Sequence, residues 1–219
     1  RDVERSRGLG DVYKRQELKS ANQKDYEIGI VCGGGNIFRA REGIKKGIDK
    51  LTGDRAGMLA TLINSLLLYN VFSAMGFSTA IFSSFGSFSF APVYSVEGAL
   101  SAFRKGKLVL FGGGVGSPYF TTDSAAALRA VELKADLVIK GTRVKGVYDD
   151  DPEKNANAKF YPVLTYSELL AKGLQVMDLT AVSLCMEYNI PILVMDIYKS
   201  GNLKSALQGE KIGTIIRRK

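Results

Sequence analysis

Hydrophobic and polar positions along this chain follow two alternating rhythms. Short apolar runs closed by glycine or polar residues predict strands at 26–32 (YEIGIVC), 79–82, 107–111 (KLVLF), 136–140 (DLVIK), 192–195 and 213–217. Between them, apolar residues recur at helical spacing. Met58, Leu59, Leu62, Ile63, Leu66 and Leu67 predict a helix over 54–74. Further helices are expected at 96–104, 166–171, 179–188 and 203–208. The capping residues Thr121, Thr122, Asp123 and Ser124 open another over the alanine-rich stretch 125–133. Residues 141–148 form either a hairpin or an irregular loop. Strands alternating with helices predict an α/β fold, a three-layer αβα sandwich with a mainly parallel central sheet. Ligands of such sheets sit beyond the carboxyl ends of the strands.

Composition narrows the chemistry. With 46% hydrophobic and 24% charged residues, the chain has the make-up of a soluble globular protein. No apolar run approaches the ~18 residues of a membrane span, and no segment has the form of a signal peptide. The two cysteines, Cys32 and Cys185, form no spacing motif and fit free thiols in a reducing cytoplasm. Histidine is absent, which excludes His-based triads, His metal sites and His general bases. The net charge of +8 points to anionic partners. Because the basic residues are dispersed, a nucleotide is favoured over a nucleic-acid polymer, with solubility alone as the bland alternative. Residues 1–16 carry two glycines and no helical or strand period. They are read as a non-homologous, artefactual tail, with a disordered native tail as the alternative, leaving 17–219 as one domain.

Four constellations carry candidate chemistry. Gly33-Gly34-Gly35-Asn36 follows a strand, so its amides could point at a phosphate with Arg39 on the same anion; the alternative is a plain tight turn. The glycine-rich run 112–116 leads through Ser117, Pro118, Tyr119 and Phe120 to a helix start at Thr121, Thr122 and Asp123. This reads either as a ligand loop at a helix N-terminus or as core aromatics beside a cap. Lys140 ends an apolar strand, facing either a phosphate or solvent. Asp149, Asp150 and Asp151 form either a solvated turn or a metal or ribose contact. Together these groups suit phosphoryl transfer, which needs positioned cations and amides more than covalent catalysis.

At this level the chain resembles the bacterial uridylate kinases of the amino acid kinase family. The resemblance rests on GGGNIFRAR (33–41), GDRAGMLATLINSL (53–66), SPYFTTDSAA (117–126), ADLVIKGTRVKGVYDDDP (135–152), TYSELL (165–170) and QVMDLTAV (175–182), in order from residue 17 to 219. It implies the amino-acid kinase fold, with a UMP-binding lobe at 17–134 and an ATP-binding lobe at 135–219. It implies that Gly34 and Asp54 contact UMP. The loop of Val115, Gly116, Ser117, Pro118, Tyr119, Phe120, Thr121 and Thr122 would wrap that acceptor. Gly35 and Arg39 would contact the ATP phosphates, and Thr142, Tyr148 and Asp151 the ATP base and ribose. Asp123, Lys140 and Arg39 would be catalytic, Lys140 stabilising the moving phosphoryl and Asp123 orienting the cations around it.

Mg2+ would arrive with ATP, and no metal site is assigned to the chain itself. The resemblance also implies a homohexamer, GTP activation and UTP inhibition, while the free thiols, the short apolar runs and the dispersed charge point to a cytoplasmic location and no membrane and disfavour a nucleic-acid partner. The family opens with a strand ending in K-x-S-G that holds the ATP phosphates, and this chain has no counterpart. The expectation is an incomplete donor half and an unstable, nearly inactive protein. Val115 and Ser117 stand where the family commonly has threonine and asparagine.

Overall fold

The structure is a computed structural model that describes residues 26–219. The readings made of the tail and of the missing first strand lie outside the described residues. The chain forms two compact units, one ending at Ala126 and the other running from Ala127 to Lys219.

The first unit holds β1 (Gly29–Val31), α1 (Ala40–Lys45), α2 (Lys50–Ala74), β2 (Thr79–Ser83), α3 (Val96–Arg104), β3 (Leu108–Gly112) and the start of α4 (Thr122–Glu132). Its sheet has the order β1-β3-β2, with both pairings parallel. β3 is central, and Leu108, Val109, Leu110 and Phe111 are all buried. An unbroken apolar run is what a parallel strand needs when both its faces are covered. Here α2 and α3 pack on it, and the Phe111 ring stacks on Phe82 at 6.5 Å.

α2 begins a turn earlier than its apolar spacing predicts. Asp49 is its N-cap, with the carboxylate accepting from the Thr52 amide at 3.0 Å. Interior glycines Gly53 and Gly57 argue against a helix there, at ~1 kcal/mol each relative to alanine. Tertiary packing overrides that preference. A Cβ on Gly53 would lie 3.4 Å from the Ala40 Cβ, so its absence lets α1 rest close on α2. α1 itself is too short to carry a clear period. At 25 residues, with a window of mean hydropathy 1.4, α2 does reach the length and composition of a membrane span, contrary to the expectation from apolar runs. It instead packs on β2 and β3, while Leu59, Ile63, Leu66 and Leu67 stay exposed on one face.

The second unit contains the rest of α4, β4 (Val138–Thr142), β5 (Val147–Tyr148), β6 (Phe160–Tyr161), β7 (Val163–Thr165), α5 (Tyr166–Ala171), α6 (Leu179–Glu187), β8 (Ile192–Asp196), α7 (Asn202–Leu207) and β9 (Thr214–Arg217). Its sheet runs β4-β8-β9-β7; β8 is parallel to β4 and antiparallel to β9, and β7 is parallel to β9. β5 and β6 pair as a separate antiparallel ribbon, so 141–148 is not a hairpin in itself: it finishes β4 at Thr142, bends, and enters β5, whose partner is Phe160–Tyr161. Its core gathers Val138, Leu164, Tyr166, Leu169, Val182, Cys185, Ile192 and Ile216. Thr165 and Glu168 close a capping box at the start of α5. The buried Tyr166 hydroxyl donates to the Ile190 carbonyl, which removes the cost of burying it. The α/β class with mainly parallel strands is as expected.

Candidate functional site

The first unit contains a cavity of about 270 Å³, lined among others by Gly34, Gly35, Arg39, Asp54, Thr61, Pro118, Phe120, Thr121 and Thr122. It lies where β1 and β3 give way to their glycine loops, at the strand ends that parallel sheets use for ligands.

α2 holds both loops. The Asn64 side-chain amide donates to the Gly33 carbonyl at 2.7 Å, and Asn64 and Asn36 exchange amide hydrogen bonds at 2.7 and 3.2 Å. A Cβ on Gly34 would stand 2.7 Å from both the Ala60 Cβ and the Gly57 carbonyl oxygen, so the loop can lie on α2 only as glycine. Thr61 accepts from the Gly113 amide at 2.8 Å. Asp54 accepts from the Tyr119 amide at 2.9 Å. Asp54, Thr61 and Asn64 fall on one face of α2 by the helical period.

The second loop is tightly wound. Gly116 has φ +91°, and a Cβ there would meet the Ser84 carbonyl oxygen at 2.5 Å. Ser84 Oγ donates to the Gly114 carbonyl at 2.7 Å. Tyr119 carries a φ of +73°, a left-handed conformation unusual for a bulky residue. The Thr121 hydroxyl accepts from the Asp123 and Ser124 amides at 3.1 and 3.3 Å and so caps α4. Arg39 Nε donates to the Gly35 carbonyl at 2.9 Å, and its guanidinium is 3.9 Å from Glu42. Beside the site, burial pushes the Cys32 thiol above its ordinary range, so it stays protonated rather than serving as a nucleophile.

The residues singled out in the sequence divide accordingly. Gly34, Gly35, Arg39, Asp54, Pro118, Phe120, Thr121 and Thr122 come together around the cavity. Gly35 and Arg39, assigned to the donor, thus share it with residues assigned to the acceptor. Val115, Gly116, Ser117 and Tyr119 belong to the same loop without lining it, and the Tyr119 side chain is exposed. Asp123 lies in the first turn of α4.

In the second unit, Lys140 sits in the middle of β4 rather than at its end. The Thr142 hydroxyl lies 2.7 Å from the Val144 carbonyl and 3.1 Å from that of Met195. Tyr148 is in β5 with its ring 5.3 Å from Phe160. The acidic triplet makes local bonds. Asp149 accepts from the Lys159 amide, Asp150 from the Asp151 amide, and Asp151 from the Glu153 amide while pairing with Lys154 at 3.2 Å. The Asn155 side chain and the Asp151 amide hold the Asp150 carboxyl below its usual range.

Sequence reasoning missed Thr61 and Asn64. Both stand inside the GDRAGMLATLINSL string, and the available signal was polar side chains recurring at helical spacing on an otherwise apolar helix. The cavity offers glycine-loop backbone, a guanidinium, a carboxylate and hydroxyls, a set suited to a phosphorylated ligand that also bears hydroxyl or N–H groups.

A twin-unit α/β chain with glycine loops at its strand ends is the architecture of a known class: the chain belongs to the amino acid kinase family, whose model it matches over residues 15–196. Within that family its relatives include uridylate kinases. It is 44% identical over 200 residues to the uridylate kinase of Bacteroides thetaiotaomicron, covering 91% of this chain and 85% of that one. Among solved structures, the UMP kinase from Bacillus anthracis superposes with a TM-score of 0.90 at 34% identity, covering 94% of this chain and 85% of the other. The UMP kinase from Ureaplasma parvum gives 0.88 at 36% identity, covering 94% and 88%.

Proposed function

We propose that this chain transfers the terminal phosphoryl group of ATP to UMP, giving ADP and UDP, within pyrimidine nucleotide biosynthesis. The observation that carries this reading is the 44% identity to a uridylate kinase across most of both chains. The cavity of the first unit supports it with a matching set of groups. In this reading Gly34, Asp54 and the loop from Val115 to Thr122 receive UMP. Gly35 and Arg39 meet the phosphates. Lys140 balances charge on the moving phosphoryl, and Asp123 orients the groups around it. Thr142, Tyr148 and Asp151 receive the ATP base and ribose. Residues 17–134 form the acceptor lobe and 135–219 the donor lobe. A phosphate monoester has a second pKa near ~6, so UMP enters already ionised and needs no strong base, in keeping with a chain that has no histidine.

Among the described residues no group of three or more Cys, Asp or Glu side chains is placed to hold a metal ion. The reading has Mg2+ bound to the ATP phosphate oxygens, where it neutralises charge. The exposed apolar face of α2, with Leu59, Ile63 and Leu67, supports self-association, and the family resemblance makes the assembly a homohexamer. GTP activation, UTP inhibition and a cytoplasmic location belong to the same reading.

The test is ligand-linked unfolding followed by turnover. UMP at 100 times its Kd adds about 2.7 kcal/mol of stability, and CMP adds far less. ADP release that depends on UMP, measured on the chain joined to a strand ending in K-x-S-G, completes the case. Equal turnover of acetylglutamate or aspartate overturns it.

A further inference from the structure

The Asp54 carboxylate has an uneven set of partners. Its Oδ2 accepts from the Tyr119 amide at 2.9 Å and from Lys50 Nζ at 2.8 Å. Its Oδ1 has no hydrogen bond among the described residues. The side chain is only 13% exposed and lines the cavity. Lys50 has a second role in the same place, since its ammonium stands 5.3 Å from the centroid of the Tyr119 ring, within reach of a cation–π attraction. One lysine therefore bridges the carboxylate and the aromatic ring of the residue whose backbone that carboxylate holds. Tyr119 needs such support, because its φ of +73° is costly for a bulky side chain.

We propose that Lys50 is a positioning residue for the acceptor nucleotide: it locks Asp54 and the Tyr119 turn together, leaving Asp54 Oδ1 to accept an N–H or O–H of the nucleoside. The inference rests on the reading of this cavity as the UMP site. Lys50 touches no reacting atom and acts through Asp54. Its partners sit on α2 and on the second loop, so its loss loosens the loop without removing a cavity-lining group. Lys50 is about half exposed, which limits the size of the effect.

The experiment measures UMP and ATP affinity by calorimetry, together with hydrogen exchange at the Tyr119 amide, in the unaltered chain, Lys50→Met and Lys50→Arg. Lys50→Met is expected to weaken UMP about fivefold, the scale of a half-exposed charge pair, to leave ATP unchanged and to speed exchange at Tyr119. Lys50→Arg keeps the charge and restores both. Unchanged UMP affinity in Lys50→Met, or equal weakening of UMP and ATP, overturns the inference. Unaltered chain that binds no UMP overturns the acceptor reading itself, whatever Lys50→Met does to the Tyr119 amide.

Discussion

Asn64 donates its side-chain amide to the carbonyl oxygen of Gly33 at 2.7 Å, so the first glycine loop is hung by its backbone from the middle of α2. The same helix holds the second loop at the Gly113 and Tyr119 amides. α2 is thereby the common support of both ligand loops, and the spacing between them is set by a rigid element rather than by loop sequence.

Asn64→Leu removes the bond to Gly33 and the exchange with Asn36, leaving a carbonyl and an amide to find water. The expected loss is about 1–2 kcal/mol, or roughly 2–8 °C in Tm for a chain of this size. Thermal unfolding checks it, and the added shift on UMP should shrink. A variant with an unchanged Tm and an unchanged UMP shift would mean that the loop holds itself.

Gly34→Ala places a methyl 2.7 Å from the Ala60 Cβ and from the Gly57 carbonyl oxygen. Neither neighbour is the end of a flexible side chain, so the loop must lift from α2. Overpacking of this kind costs about 1–3 kcal/mol. UMP binding by calorimetry should disappear while the unit still unfolds cooperatively.

Asp123 stands in the first turn of α4 beside Thr122, and neutralising it leaves the Thr121 cap intact. Asp123→Asn is expected to slow ADP release by about a hundredfold or more, the scale seen when a group that organises transition-state charge is lost. UMP affinity should stay close to that of the parent. Full activity in the variant removes Asp123 from the catalytic set.

Alkaline pH should destabilise the second unit through Cys185 and Tyr166. Burial pushes the Cys185 thiol up from an ordinary value of 9.0 to about 11, and it also raises the Tyr166 hydroxyl. Both groups stay protonated in the folded chain at a pH where the unfolded chain has lost the proton. The Cys185 contribution is complete below pH ~9 and is lost as pH rises toward ~11, whereas that of Tyr166 starts to fall only above its ordinary value of 10.0. Denaturant midpoints measured from pH 8 to 11 should fall, and fall less steeply in Cys185→Ala. A flat profile would show that neither group is shielded.

What the sequence determined is local. The Ser95 cap and the apolar spacing behind it mark α3 at Val96–Arg104, and the Thr165–Glu168 box marks α5 at Tyr166–Ala171, because a helix start is written in contiguous residues. Both glycine loops were legible for the same reason, as was their likeness to one family's strings. The tertiary structure decided what depends on distant partners. The apolar spacing opens at Asp54, yet α2 starts at Lys50 with Asp49 as its cap, and Asp54, inside the helix, accepts from the amide of Tyr119 in the far loop. β7 has no pattern of its own in three residues and exists because β9 pairs with it, Val163 opposite Ile215. Asn64 reads as just another polar position on α2 until folding brings the Gly33 carbonyl to it. A chain spells out its caps and turns, whereas the partner of a buried or bridging polar group is chosen only when packing fixes which backbone lies within hydrogen-bond reach.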